Sequence, residues 1–387
     1  MDAQAAKPKV GLILTGGGAR AAYQVGVLRA ISSLLPKSTA NPFTIICGSS
    51  AGAINAAALA INAGNFRAGI GRLMAVWRNF HAQQVYRADP LGVMSSGARW
   101  LAALMVGGLG KHNPTSLLDN SPLTELLRRK LEFKGIQESI DRGHLYALSI
   151  TASGYASGQS VTFYQAVPTM SPWQRARRLG VPTQIGVEHL LASSAIPLMF
   201  SAVKINREYF GDGSMRQIAP ISPALHLGAE RVLVVGVTQA EQPNRVKGED
   251  YPSLAEIAGH ALNSIFLDSL EVDLERLQRI NKTIRLIPSQ TLEKSGLSLR
   301  HVDVLVISPS ESIESIAQKH VHALPRSIRF LLRGIGATRR RGANLFSYLL
   351  FEKPFCRELI DLGYKDAMGR KEEIVEFLRE VATAVDV

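Results

Sequence analysis

Two apolar runs, each ended by glycines and followed by a helical pattern, constrain the fold most strongly. Val10–Leu14 ends at Thr15-Gly16-Gly17-Gly18, after which apolar residues recur at helical spacing. Phe43–Cys47 ends at Gly48-Ser49-Ser50-Ala51-Gly52 before a second helical pattern. Continuous apolar runs of this kind are typical of strands that are buried on both faces. The sequence therefore predicts an α/β fold with a mainly parallel sheet covered by helices on both sides.

The alternation of strands and helices continues to about residue 310. Leu145–Ala152 and Val161–Gln165 flank a turn rich in Ser and Gly and predict a hairpin. Further strands are expected at Val203–Ile205, Arg231–Thr238, Thr283–Pro288 and Val302–Ile307. Beyond about Pro309 the pattern is helical and basic.

Composition and charge narrow the function classes. With 46% hydrophobic and 20% charged residues, the chain is neither disordered nor collagen-like. The 44 Lys and Arg outnumber the 32 Asp and Glu, and the net charge of +12 indicates an anionic partner, either nucleic acid or an acidic lipid surface. Cys47 and Cys356 lack metal-ligand spacing, so neither a zinc site nor a disulfide framework is expected.

Three segments bear on membranes and location. Phe43–Gly64 carries no charge over a length that could span a bilayer, but its Ala, Gly, Ser and Asn content fits a buried strand, turn and helix better. Met94–Gly110 is apolar between glycines and predicts either core packing or a mobile flap. Residues 1–9 lack the apolar core of a signal peptide, which predicts a cytoplasmic protein.

The motif Gly48-x-Ser50-x-Gly52 lies between a predicted strand and a predicted helix. In this context a serine sits on a sharp turn with its hydroxyl exposed, and the helix N-terminus offers N–H groups to a developing anion. The glycines keep side chains from colliding with neighbouring backbone. A motif this short also occurs by chance, so the strand-turn-helix context is what indicates a nucleophile.

The turn Gly16-Gly17-Gly18 follows the first strand. Consecutive glycines can direct backbone N–H groups at an oxyanion or a phosphate. A dinucleotide fold is the alternative, because Gly16-x-Gly18-x-x-Ala21 fits its loose fingerprint. However, no acidic residue occurs between Asp2 and Asp89 to hold a ribose. Since parallel strands end at one edge of the sheet, this turn would bring oxyanion donors beside Ser50.

A serine nucleophile needs a base. The nine histidines occur in no recognisable catalytic context and are expected to be structural or solvated. A carboxylate can serve instead. Asp212-Gly213 follows the segment Ala192–Pro197 and a predicted strand, and although Asp-Gly alone is a common turn, its combination with the two glycine motifs makes Asp212 the candidate.

The order of Gly-Gly-Gly-x-Arg at 16–20, Gly-x-Ser-x-Gly at 48–52 and Asp-Gly at 212–213 resembles a bacterial member of the patatin-like phospholipase family, over about residues 8–225. The resemblance implies a three-layer patatin-like α/β fold with a helical C-terminal extension. It divides the chain into a catalytic domain over 8–225, a continuation of the α/β body over 226–310 and a helical, basic extension over 311–387.

The resemblance also implies a serine acyl hydrolase for lipid esters, of the phospholipase A or lysophospholipase type, that works through an acyl-enzyme without metal or cofactor. Ser50 is then the nucleophile and Asp212 its base, and the oxyanion hole is formed by Gly16, Gly17 and Gly18. The supporting residues are Arg20, Gly48, Gly52 and Gly213. Ser214 stands where the family usually has Gly or Ala, which adds a hydroxyl beside the base.

Alternatives stay open. A transacylase or a general carboxylesterase could use the same dyad, and a non-catalytic nucleotide-binding or scaffolding protein is the alternative of another class. The basic C-terminal segment predicts either a solvated helix face or a contact with an anionic membrane at its inner face. Its arginines are Arg326, Arg329, Arg333, Arg339, Arg340 and Arg341. Nucleic acid is not expected, because no recognition motif accompanies the charge.

Overall fold

One sheet carries the fold in the computed structural model, which describes residues 9–89, 116–239, 254–288, 292, 299–334 and 343–382. Within these residues ten strands form the sheet: β1 Val10–Leu14, β2 Ile45–Ser49, β3 Ala147–Gly154, β4 Ser160–Ala166, β5 Trp173–Arg175, β6 Arg178–Pro182, β7 Val203–Ile205, β8 Glu208–Asp212, β9 Arg231–Val235 and β10 Asp303–Ile307.

The central strands of this sheet are parallel, in the spatial order β10-β9-β1-β2-β3. The predicted hairpin is formed by β3 and β4, and β6 and β5 continue the sheet beyond it. Strand β8 runs antiparallel to both β3 and β7. The prediction of an α/β fold with a mainly parallel central sheet is confirmed.

Helices cover both faces. They are α1 Ala22–Leu34, α2 Ala51–Ile61, α3 Phe66–Trp77, α4 Ser121–Lys130, α5 Lys134–Asp141, α6 Val187–Ser193, α7 Ser222–His226, α8 Leu254–Arg285, α9 Ile313–Lys319, α10 Arg326–Gly334, α11 Ala343–Ser347, α12 Lys353–Gly369 and α13 Lys371–Ala382. Side chains alternate along each strand. On β1, Leu12 and Leu14 therefore enter the core under α1 and α2, while Ile13 enters the core on the opposite face.

The register of β3 brings two strand ends together. Ser49, the last residue of β2, pairs with Thr151, and Asp212, the last residue of β8, pairs with Ala152. Strand β2 runs parallel to β3 and β8 runs antiparallel to it, on the edge of β3 that β4 does not occupy. The two chains therefore approach each other head-on, and the turns that follow them meet.

One predicted strand is wrong. Thr283–Pro288 was expected to be extended, but α8 continues through it to Arg285. Leu277 and Ile284 are buried seven residues apart, a helical spacing, and Asn281 exchanges two side-chain hydrogen bonds with the backbone of Val302. Packing of one helix face thus outweighed a short apolar run that is ambiguous by itself. The predicted flap Met94–Gly110 lies outside the described residues.

The C-terminal helices pack on the first helix. Helices α1 and α12 cross with their backbones in contact, since a Cβ atom on Gly26 would overlap the carbonyl group of Ile360 and one on Gly363 would overlap that of Tyr23. The division of the chain at 225 and 310 stays a prediction. In the part of the chain that the structure describes, no helix combines the length and the apolar character needed to cross a bilayer.

Candidate functional site

Ser50 occupies a strained turn between β2 and α2. Its φ of 52° and ψ of −131° lie in a region that residues with side chains rarely adopt. Two glycines make the turn possible: a Cβ atom on Gly52 would overlap the carbonyl group of Leu14, and one on Gly48 would press on the backbone of Ala53. The sharp turn predicted from the sequence is therefore present, with Ser50 directly before the N-terminus of α2.

A single segment at the C-terminal end of α6 holds the turns of both Ser50 and Asp212. The Ser50 N–H donates to Ser193 Oγ at 2.9 Å, and the Ser193 hydroxyl donates to the carbonyl oxygen of Thr151 at 2.6 Å. Two residues on, the carbonyl oxygen of Ala195 accepts from the Asp212 N–H at 3.0 Å. Sequence reasoning noted the segment Ala192–Pro197 but missed this role, because only the folded chain brings these groups together.

Asp212 is fully buried and has no cationic partner among the described residues. Burial raises the pKa of its carboxyl group to about 6, against the lowering effect of the Ser50 side chain and of Ser214. Oδ1 accepts from the Ser214 N–H at 2.9 Å, whereas no described group makes a hydrogen bond of standard geometry to Oδ2.

The residues after Asp212 fit tightly against β3. A Cβ atom on Gly213 would overlap the carbonyl group of Thr151, so the glycine lets this turn reach the end of the strand. The Ser214 hydroxyl is buried without a hydrogen bond of standard geometry to any described residue. It lowers the pKa of the Asp212 carboxyl group. The hydroxyl that Ser214 adds to this turn therefore lies beside the Asp212 carboxyl group.

The glycine turn after β1 presents N–H groups. Among the described residues, nothing accepts a hydrogen bond from the N–H groups of Gly16, Gly17 or Gly18, whereas the Ala19 N–H donates to the carbonyl oxygen of Tyr348 at 3.0 Å. Gly18 has a φ of 56°, and a Cβ atom there would overlap the same carbonyl group. Three consecutive N–H groups are thus without an acceptor in the described part of the chain, and Gly18 lines the same cavity as Ser50.

Arg20 points away from this turn into the C-terminal helices. It is completely buried, its Nε donates to Ser347 Oγ at 2.9 Å, and its guanidinium group lies 4.1 Å from the ring centre of Tyr348. Nη1 lies 2.9 Å from Glu314 Oε1. Burial opposes ionisation of Glu314, but Arg20 and several hydrogen bonds outweigh it and lower the pKa of this carboxyl group. Arg20 therefore anchors the turn to chain some 300 residues later.

A buried polar chain behind the site was not predicted. Gln24 donates to the carbonyl oxygen of Thr15 at 2.8 Å, Asn55 donates to Gln24 Oε1 at 3.0 Å, and the indole of Trp77 donates to Asn55 Oδ1 at 2.8 Å. These bonds connect the end of β1 with α1, α2 and α3. Because each of these buried polar side chains has a partner, the three hydrogen bonds fix the position of α2 relative to the glycine turn.

A cavity of about 580 Å³ begins at Ser50 and Gly18, and we call it the α2 cavity. One of its walls is a single face of α2. Its middle is apolar and is lined by Leu73, Val76, Trp77, Leu123, Leu126 and Leu127 from α3 and α4. A cavity of this volume with an apolar lining is typical of small-molecule sites.

Within the described residues, histidines and metal-ligating clusters do not converge on Ser50 and Asp212. None of the histidines within the described residues is hydrogen-bonded to Ser50 or Asp212. His189 is buried, but it accepts from the Gly186 N–H at 3.0 Å and contacts the ring of Phe163. The described residues also contain no cluster of three or more His, Cys, Asp or Glu side chains that could hold a metal ion.

Replacement of Ser193 by alanine is expected to destabilise the protein. Ser193→Ala removes the acceptor of the buried Ser50 N–H, and an unsatisfied buried donor costs about 1–3 kcal/mol. Thermal unfolding should show a lower Tm than for the wild type. Ser194→Ala is the matched control, because its hydroxyl donates to the Leu190 carbonyl oxygen, which keeps the Ser194 N–H as a backbone partner. Equal unfolding temperatures for the two variants would contradict the role assigned to Ser193.

Comparison with known proteins identifies the family. The patatin-like phospholipase family matches residues 12–225. Among solved structures, VipD from Legionella pneumophila is similar at 13% identity and a TM-score of 0.31, over 92% of this chain and 67% of that chain. Human GIVD cytosolic phospholipase A2, in complex with methyl gamma-linolenyl fluorophosphonate, is similar at 14% identity and a TM-score of 0.40, over 97% of this chain and 60% of that chain.

The comparison with curated protein sequences gave no match. The family match nevertheless covers more than half of the chain and includes both glycine motifs and Asp212. The resemblance noted in the sequence is therefore confirmed, and this chain belongs to the patatin-like phospholipase family of lipid acyl hydrolases.

Proposed function

We propose that this protein is a serine acyl hydrolase of the phospholipase A or lysophospholipase type, with Ser50 as nucleophile and Asp212 as its base. The observation that carries the proposal is the head-on approach of β2 and β8, which brings Ser50 and the buried carboxyl group of Asp212 together, with Ser50 lining one end of the α2 cavity. No metal or cofactor is needed for this chemistry.

The proposed reaction has two steps. Asp212 accepts the proton of the Ser50 hydroxyl while Ser50 Oγ attacks the ester carbonyl carbon, and the N–H groups of Gly16, Gly17 and Gly18 stabilise the oxyanion. The tetrahedral intermediate collapses, and the departing alcohol takes the proton from Asp212. A water molecule then gives a proton to Asp212 and attacks the acyl-enzyme, and the fatty acid leaves as the proton returns to Ser50.

The α2 cavity supports lipid esters as substrates. Its apolar middle can bury an acyl chain, and each buried methylene group contributes about 0.8 kcal/mol. Ser50 lies at the end of this apolar wall, so a carbonyl carbon at Ser50 places the chain along α2. Transfer of the acyl group to an alcohol in place of water would give the transacylase alternative, which product analysis distinguishes.

Loss of either member of the dyad is expected to abolish activity. With mixed phospholipid vesicles, Ser50→Ala and Asp212→Asn should each reduce the release of free fatty acid by on the order of 1000-fold or more. Ser33→Ala and Asp361→Asn make the same changes at exposed positions and should keep wild-type rates. Circular dichroism establishes that all variants are folded. Wild-type rates in Asp212→Asn would exclude the proposed base.

Activity is expected to depend on pH through Asp212. A base must be deprotonated to accept the Ser50 proton, and the pKa of Asp212 is about 6, so kcat/KM should fall about tenfold per pH unit below that value and level off above it. An uncharged short-chain ester serves as substrate, with product measured by chromatography. A flat profile between about pH 5 and about pH 8 would contradict the assignment.

We also propose that α10 contacts an anionic membrane surface. Arg326, Arg329, Phe330 and Arg333 share one face of this helix, and Phe330 is 81% exposed while Ile328 and Leu332 are buried on the other face. An exposed aromatic ring among cations is typical of helices that lie at a membrane interface. Arg339, Arg340 and Arg341 lie outside the described residues.

Vesicle sedimentation tests this contact. The variant Arg326→Gln/Phe330→Ala/Arg333→Gln should bind anionic phosphatidylglycerol vesicles at least tenfold more weakly than the wild type, because each basic residue near such a surface contributes about 1 kcal/mol. Zwitterionic phosphatidylcholine vesicles should bind both proteins weakly. Unchanged binding to the anionic vesicles would remove α10 as the contact.

A further inference from the structure

The far end of the α2 cavity has a different character from its middle. Ala51, Ile54, Ala58 and Asn62 line the cavity and recur at helical spacing, so the cavity follows α2 from its first turn to its C-terminal end. Eleven residues at about 1.5 Å each separate Ala51 from Asn62 by about 17 Å. The start of α5, which follows α4 closely in the chain, reaches the same end, since a Cβ atom on Gly135 would touch Ile61.

Cations dominate this far end. Arg72, Arg129 and Lys130 line the cavity there and are exposed, and Arg72 donates to the Asn62 side chain. None of the three forms an ion pair with any acidic residue in the described part of the chain. Glu132 is the one carboxylate among the residues that line the cavity. Three positive charges against one negative charge leave this opening with net positive charge.

We propose that this cationic end binds the carboxylate of a long-chain fatty acid, whose tail then lies in the α2 cavity and points toward Ser50. The bound molecule is reversed relative to the acyl chain of a substrate, because its charged group is at the end of the cavity farthest from Ser50. This orientation fills the apolar middle with methylene groups and leaves the carboxylate in contact with solvent and three cations.

The charge of Asp212 favours the reversed orientation. A carboxylate placed at Ser50 would lie beside a second, fully buried carboxyl group, and two neighbouring anions in a poorly solvated site repel each other strongly. At the far end the same carboxylate meets opposite charges and remains solvated. The cavity is therefore negative beside Ser50 and positive at its far end, which favours a fatty acid bound with its carboxylate at the far end.

The headgroup of a phospholipid substrate cannot use these cations. Its phosphate is only a few bonds from the ester, whereas about 17 Å of helix separates Ser50 from the far end. With the ester at Ser50, the methyl end of the acyl chain reaches the cations instead. Under the function proposed above, on which this consequence rests, the released fatty acid rebinds in reverse and is a competitive product inhibitor.

Calorimetric binding of tetradecanoate to the Ser50→Ala protein tests the site without any turnover. Arg72→Gln/Arg129→Gln/Lys130→Gln should weaken binding roughly tenfold, as expected for three exposed charge contacts. Arg128→Gln/Lys134→Gln/Arg142→Gln removes the same charge from exposed residues that do not line the cavity, and should bind like the unaltered protein. Tetradecan-1-ol has no charge, so its binding should be the same in all three proteins.

Equal binding of tetradecanoate to both triple variants would overturn the proposal, and so would a loss of tetradecan-1-ol binding as large as that of tetradecanoate. If the cavity triple variant does not fold, Arg129→Gln/Lys130→Gln is compared with Arg128→Gln/Lys134→Gln instead. Occupation of the α2 cavity is checked in the wild type, where tetradecanoate should slow fluorophosphonate labelling of Ser50, while the cation variants report the orientation. Absence of labelling without fatty acid would count against the proposed function, while the calorimetry still decides the binding site.

Discussion

Close contact between backbone segments at two glycines is the constraint on which the site depends. At Gly52 the start of α2 reaches the end of β1, and at Gly213 the turn after β8 reaches the end of β3. Any side chain at either position would push the two backbones apart. Because both contacts occur at one edge of the sheet, they hold the glycine turn, Ser50 and Asp212 within one small volume.

Much of this arrangement could be predicted from local sequence. A run of apolar residues followed by glycines marks the end of a buried strand, and the carboxyl ends of parallel strands meet at one edge, so Gly16–Gly18 and Ser50 could be placed together. Asp212 was predicted because Asp-Gly follows the segment Ala192–Pro197 and a predicted strand in a chain that carries both glycine motifs. The positive φ of Ser50 agrees with the turn that its two flanking glycines require.

Other features depend on long-range pairing, which a single sequence does not display. The head-on approach of β2 and β8 follows from the register of β3, and a shift of one residue would separate the two turns. Ser193 resembles any helical serine until the fold brings it to the Ser50 N–H. The strand predicted at 283–288 was wrong because its local pattern suits a strand, whereas the packing of α8 decides its structure.

The partners of Arg20 determine when during synthesis the glycine turn can be completed. Its hydrogen-bond acceptor Ser347 follows it by 327 residues, and the carbonyl group that receives the Ala19 N–H belongs to the next residue, Tyr348. A chain emerging from the ribosome makes β1, the glycine turn and the Ser50 turn before the partners of Arg20, which follow about 300 residues later. Until Ser347 and Tyr348 have been synthesised, the nascent chain therefore carries Ser50 without the hydrogen bonds that hold the neighbouring glycine turn.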